Sequence, residues 1–185
     1  MKKSVISSYN FIISDDYKLA EIEMEIMNNF ESTERWLYLG ADAVNLDFAR
    51  IGITMRDLRS RSYSSANPNY YLFCAFKCIH NLPVVDLKSM ENHVLREFQN
   101  YYRYPNGFTK RAKFYESDVF SDCFYNIDYE DFLTHLHYFL YTNYRQNFVI
   151  SAMDHGFGVV DGEFIDCIFN QKVKNENRYR QMLIQ

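Results

Sequence analysis

The chain has 185 residues, a length typical of one compact domain with extensions or of two small domains. Hydrophobic residues make up 48% and aromatic residues 18%, which excludes a disordered chain, and six glycines with three prolines exclude fibrous and repeat classes. No segment approaches the length of a membrane-spanning apolar helix, and residues 1–8 lack a secretory apolar stretch. Because the four cysteines form no CxxC pair, we expect them to be reduced core thiols of a cytoplasmic protein. Since no apolar segment is long enough to span a membrane, we also expect no membrane contact.

The net charge of −4 hides an uneven distribution. Residues 1–33 carry three basic and six acidic side chains, and residues 116–185 carry five basic and eleven acidic ones. Residues 34–115 instead carry twelve basic and seven acidic side chains. A basic middle between acidic flanks favours a phosphate-binding core, with chance clustering as the alternative.

The first half of the chain predicts one helix and three strands. Apolar residues at helical spacing predict an amphipathic helix over Asp16–Phe30. Short strands are expected over Arg35–Leu39 and Phe48–Ile53, and an aromatic-rich strand over Tyr70–Ile79. A capping-box pattern that begins at Thr54 predicts a short helix after the second strand.

The second half predicts two helices and a hairpin. The clearest helix covers Asp86–Tyr102, and another covers Tyr129–Tyr144. An Asp-Gly pair at 161–162 predicts a two-residue hairpin turn within residues 158–165, and the tail from Gln171 is polar and weakly helical.

These elements predict an α/β (α+β) fold. Strands joined by short loops pair antiparallel, so residues 34–115 should form a small core with a three-stranded antiparallel sheet flanked by helices. Residues 1–33 would be an N-terminal helical extension, and residues 116–185 an acidic C-terminal region with helices and a hairpin.

The long helix places an acid on its apolar face. At 100° per residue Glu91 falls inside the apolar stripe, whose members are Leu87, Met90, Val94, Leu95, Phe98 and Tyr101. A lone buried carboxylate costs several kcal/mol unless it is paired, protonated or bound to metal. Glu91 is therefore expected to pair with a core-facing arginine, to lie at a frayed end of the stripe, or to act as a metal ligand or charge partner in a cleft.

Two basic segments are candidates for contact with DNA. Arg56, Arg59 and Arg61 follow the capped turn at Thr54, where guanidinium groups and a helix N-terminus both favour phosphate. A second segment interleaves tyrosines 101, 102 and 104 with four cations, a pattern suited to base stacking and backbone contact; they are Arg103, Lys110, Arg111 and Lys113. A solvated basic surface is the alternative in both cases.

Five short segments occur in a characteristic order: Trp36-Leu37-Tyr38, Arg50-Ile51-Gly52-Ile53-Thr54, Asp57-Leu58-Arg59-Ser60-Arg61, Asn67-Pro68 and the helix Met90–Phe98. Together they resemble the GIY-YIG nuclease superfamily, most closely its phage and viral branch, whose second half-motif reads KIGxT. The match covers residues 34–115. It departs from the pattern at Trp36 and Leu37 in the first half-motif and at Arg50 in the second.

The resemblance implies a metal-dependent endonuclease that cleaves DNA, acting in the cytoplasm of an infected cell. Glu91 would hold Mg²⁺ or Mn²⁺, and Tyr38 would deprotonate or orient the attacking water. Arg61 would clamp the scissile phosphate with help from Arg50. Two alternatives are a DNA-binding module of the same fold without catalysis and a viral protein that binds another protein through its acidic helices.

Overall fold

The computed structural model describes residues 17–58, 67–154 and 160–185. The chain divides into two compact units, Met1–Ser32 and Thr33–Gln185. In the first unit, the predicted amphipathic helix is confirmed as α1 (Tyr17–Glu31).

The second unit is built on β-strands. In chain order they are β1 (Trp36–Asp42), β2 (Ala49–Thr54), β3 (Tyr70–Lys77), β4 (Arg111–Lys113), β5 (Phe120–Phe124), β6 (Ile150–Asp154), β7 (Val160–Ile165) and β8 (Cys167–Phe169). Six of them form one antiparallel sheet in the order β4-β5-β2-β1-β3-β8.

The broad α+β class is confirmed, but the predicted three-stranded sheet is wrong because the sheet has six strands. The three predicted strands are present as its adjacent members β2, β1 and β3. The additional strands have three to five residues, too few for a periodic pattern to stand out in the sequence. Residues 34–115 and 116–185 therefore contribute strands to the same sheet.

Three further helices lie in the described part of this unit: α2 (Val84–Tyr101), α3 (Tyr129–Tyr144) and α4 (Glu176–Met182), with a 3₁₀ turn at Arg145–Asn147. The α3 helix begins where it does because the Asp128 carboxylate accepts a hydrogen bond from the Asp131 N–H at 2.9 Å. The apolar stripe of α2 is buried, as predicted, except at Tyr101, which is 66% exposed. Tyr101 is the last residue of the helix, where the core no longer covers the stripe.

The two faces of the sheet differ because side chains alternate along each strand. Leu37 and Leu39 of β1 point into a large core formed with α2 and α3. Trp36 and Tyr38 point to the opposite face, where they pack with Phe48, Tyr70, Leu72 and Ala75. This second face carries the polar groups described below.

The strands β6 and β7 form a separate hairpin, and the predicted Asp-Gly turn is wrong. Gly162 lies inside β7, opposite Met153. A side chain at Gly162 would overlap Ile184 and the carbonyl of Gln185, and Gln185 exchanges backbone hydrogen bonds with Glu163. The glycine therefore permits a close approach of the last residues rather than a turn.

The predicted short helix after β2 lies outside the described residues. Residues 55–58, which directly follow β2, contain bends rather than helical turns, and there the Arg56 N–H donates to Thr54 Oγ1 at 3.2 Å. Arg59 and Arg61 also lie outside the described residues.

All four cysteines are free thiols. Cys74, Cys78 and Cys167 are buried, as predicted, whereas Cys123 is half-buried. Among the described residues, no helix combines the length and apolar character needed to cross a membrane.

Candidate active site

Tyr38 and Arg50 lie on one face of the sheet, on neighbouring strands. In the register of β1 and β2, Tyr38 is opposite Gly52 and Arg50 is opposite Gly40. Since residues two apart on a strand share a face, the phenol and the guanidinium are brought together. The two groups are close enough to interact electrostatically.

Two glycines make room for two tyrosine rings on this face. A Cβ at Gly52 would overlap the hydroxyl end of Tyr38, and a Cβ at Gly40 would overlap the hydroxyl end of Tyr70. Each ring therefore lies against the backbone of the adjacent strand, a cross-strand packing that glycine allows. Tyr38 is 3% exposed and Tyr70 is 7% exposed.

Arg50 is anchored by a carboxylate on the next strand. Its Nε donates to Asp122 Oδ2 at 2.7 Å, and its guanidinium carbon lies 5.5 Å from the centroid of the Tyr70 ring. Burial alone would lower the pKa of Arg50, but the hydrogen bond and charge of Asp122 outweigh burial and raise it. Both side chains of the pair are 29% exposed, so a ligand can approach them from solvent.

Tyr70 presents a hydroxyl that is buried and has no hydrogen-bond partner within the described part of the chain. Burial, and then the proximity of Tyr38, raise the pKa of Tyr70 well above the usual value of a phenol. The group is therefore a neutral O–H donor at any physiological pH.

Glu91 is connected to this cluster through Arg111. Arg111 extends from β4 and interacts electrostatically with both Asp122 and Glu91. Its guanidinium donates to Ser121 O at 2.6 Å and to Gln99 Oε1 at 3.0 Å. Burial lowers the pKa of Arg111, while the two carboxylates oppose that change. Of the three expectations for Glu91, its proximity to the half-buried Arg111 agrees best with the first, a carboxylate paired with an arginine.

The remaining predicted DNA contacts lie in loops and at the sheet edge. Arg103 donates to the carbonyls of Asn100 and Gly107, each at 2.9 Å, so its guanidinium organises its own loop. The Lys110 ammonium lies 5.9 Å from the Tyr104 ring centroid, and Lys113 pairs with Asp118 at 3.1 Å. Arg56 is exposed just after β2.

The structure thus brings Tyr38 and Arg50 together on one face of the sheet. Glu91 instead lies on α2, which covers the other face, and its described connection to the cluster is the electrostatic interaction of Arg111 with both Glu91 and Asp122. Two members of the cluster, Tyr70 and Asp122, were missed by the sequence analysis. Tyr70 is one of sixteen tyrosines and Asp122 lies in a segment without a periodic pattern, so neither carried a recognisable signal.

The carboxylates of this site suit a divalent cation only if the cation keeps most of its water ligands. Within residues 17–58, 67–154 and 160–185, no three His, Cys, Asp or Glu side chains come together as a ligand cage. Mg²⁺ is commonly held by one or two carboxylates, several waters and the phosphate of the substrate. Glu91 alone is compatible with that kind of binding.

No family model, curated protein or solved structure matches this chain. Its function is therefore inferred from the side chains of this sheet face and from the motif resemblance.

Proposed function

We propose that this protein is a divalent-metal-dependent endonuclease that hydrolyses phosphodiester bonds in DNA. The observation that carries the proposal is the pairing of Tyr38 and Arg50 on one sheet face, each from one half-motif. Phosphodiester hydrolysis requires an activated water, neutralisation of charge on the phosphate, and stabilisation of the leaving oxygen. A phenol and a guanidinium side by side supply groups for the first two requirements.

Arg50 would bind the non-bridging oxygens of the scissile phosphate. Arginine suits this role because its planar guanidinium forms two parallel hydrogen bonds to a phosphate. The phosphate would take the place that the Asp122 carboxylate occupies at 2.7 Å. Arg61, at the catalytic arginine position of the resemblance, would complete the clamp.

Tyr38 would orient or deprotonate the attacking water. A phenol is a weak base at neutral pH, so a cation beside it is needed if it is to accept a proton from water. Arg50 is such a cation.

Glu91 would hold the metal ion. When bound, Mg²⁺ supplies positive charge to the phosphate and to the leaving 3′ oxygen. Arg111 interacts with both Glu91 and Asp122, and Asp122 pairs with Arg50, so the carboxylate and the phosphate-binding arginine belong to one charged network.

Incubation of the purified protein with supercoiled plasmid in Mg²⁺, Mn²⁺ or EDTA tests the proposal. Nicking should require the metal and should fall about a hundredfold or more in Glu91→Gln. The matched control is Glu97→Gln, on the same helix, where the carboxylate contacts His93 and Arg96 and is 43% exposed. Its nicking rate should stay within about twofold of the unaltered protein.

Two results would contradict the proposal. One is plasmid that stays supercoiled with either metal across a range of protein concentrations. The other is nicking that Glu91→Gln and Tyr38→Phe leave unchanged, which would indicate a contaminating nuclease.

A second candidate function is DNA binding without hydrolysis. One observation favours it: Tyr38 is only 3% exposed, which limits the access of water and substrate to the phenol. This function predicts DNA binding that weakens steeply with salt and no nicking under any metal condition.

A further inference from the structure

We propose that Tyr70 is a further substrate-contacting residue of this site, whose hydroxyl donates a hydrogen bond to the phosphodiester held by Arg50. The inference rests on the proposed nuclease function and adds to it a side chain from β3, outside every motif segment.

The position of Tyr70 follows from the strand register. Arg50 is opposite Gly40, and the hydroxyl end of Tyr70 lies over Gly40 from the other side of β1. The Arg50 guanidinium carbon is consequently 5.5 Å from the Tyr70 ring centroid. A phosphate bound to Arg50 would therefore lie on the same sheet face as the Tyr70 ring.

The energetics of the hydroxyl argue for a ligand. A buried hydroxyl without a hydrogen bond is destabilising, and phenylalanine at the same place would avoid the penalty. The ring alone would still cover Gly40 and pack with Leu72 and Tyr38. Retention of an O–H that weakens the fold is explained if the group gains its partner when DNA binds.

The protonation state matches a donor role. Burial and the neighbouring Tyr38 keep the pKa of Tyr70 above the usual phenol value, so its proton is retained. Tyr38 and Tyr70 would therefore have different roles: Tyr38 would act on the attacking water, and Tyr70 would donate a hydrogen bond to a phosphate oxygen.

Tyr129 provides a matched comparison. Its hydroxyl is also buried without a partner among the described residues, but Tyr129 packs against the helix-covered core, where its ring meets Phe73 edge-on with 4.9 Å between the ring centroids. The two hydroxyls share the same local penalty and are close enough to interact electrostatically, but Arg50 and Asp122 act on Tyr70 and not on Tyr129.

The experiment compares Tyr70→Phe with Tyr129→Phe in plasmid cleavage under single-turnover conditions and in thermal unfolding. Both variants should have a Tm equal to or above that of the unaltered protein. Tyr70→Phe should cleave at least about tenfold more slowly, because a donor to the reacting phosphate is lost. Tyr129→Phe should cleave at the unaltered rate.

Equal cleavage by Tyr70→Phe and the unaltered protein would overturn this inference and leave the nuclease proposal standing. A lower Tm in Tyr70→Phe alongside slower cleavage would also overturn it, since the hydroxyl would then be structural. Absence of cleavage by the unaltered protein would overturn the proposed function and this inference together.

Discussion

The two faces of the sheet are built from the same strands but have different roles. On the helix-covered face, aromatic rings contact one another. The ring centroid of Phe98 lies 5.0 Å from that of Phe132, and the ring stacks on His135 with 4.6 Å between centroids. On the opposite face, the rings of Tyr38 and Tyr70 lie beside the guanidinium of Arg50. Alternation along β1 and β2 is enough to separate a core that stabilises the fold from a cluster that can bind charge.

The two faces should differ most in their contribution to the free energy of unfolding, and the helix-covered face should contribute more. Phe98→Ala removes a fully buried ring from the centre of the aromatic core and should lower the free energy of unfolding by about 3–5 kcal/mol. Urea denaturation followed by circular dichroism measures the loss. Tyr101→Ala, three residues further along the same helix and 66% exposed, should change it by no more than about 0.5 kcal/mol. Similar losses in the two variants would contradict the assignment of the core.

The helix-covered face should also make stability depend on pH. His137 is fully buried, its Nε2 accepts a hydrogen bond from the Ile165 N–H at 2.9 Å, and burial lowers its pKa to about 4. Because the unfolded chain takes up this proton near pH 6.5, stability is intact above that pH and is lost as pH falls towards 4. The loss between pH 7.5 and pH 5 should be about 2 kcal/mol.

Urea titrations at the two pH values check this dependence, with His137→Gln as the test variant. The variant should lose most of the pH dependence, whatever its absolute stability. A smaller dependence should remain from His135, whose pKa burial also lowers. An unchanged dependence in His137→Gln would assign the effect to other groups.

The smallest effect is expected on the charged face. Asp122→Asn frees the Arg50 guanidinium from its anionic partner, and DNA binding should tighten by roughly threefold to tenfold because the phosphate no longer competes with a carboxylate. Fluorescence anisotropy with labelled DNA at fixed salt measures the change.

Asp118→Asn is the control for the simple removal of negative charge. Asp118 is 99% exposed and pairs with Lys113 at the sheet edge. Equal tightening in both variants would mean that Asp122 acts only through net charge, and weaker binding in Asp122→Asn would mean that the carboxylate holds Arg50 in its binding position.

Much of the fold could be predicted because its main elements have strong periodicity. The helix Tyr129–Tyr144 was predicted to the residue, and the three central strands were predicted within a few residues. The outer strands were missed because β4 and β8 have three residues each. Gly162 was assigned to a turn because the sequence does not reveal that Ile184 and Gln185 approach it.

Only those residues of the candidate site that belong to a sequence motif could be predicted. Tyr38 and Arg50 were named from half-motifs twelve residues apart, and their register brings them together. Asp122 and Tyr70 are 72 and 20 positions away from Arg50 in the sequence. Strand pairing brings both of them to Arg50, and no local sequence pattern indicates that pairing.

The six-stranded sheet ends on each side in a strand of three residues, β4 at one edge and β8 at the other. A strand from another molecule would find very few free amide and carbonyl groups there, too few to dock in register. These two outer strands are therefore poor templates for strand addition by another molecule.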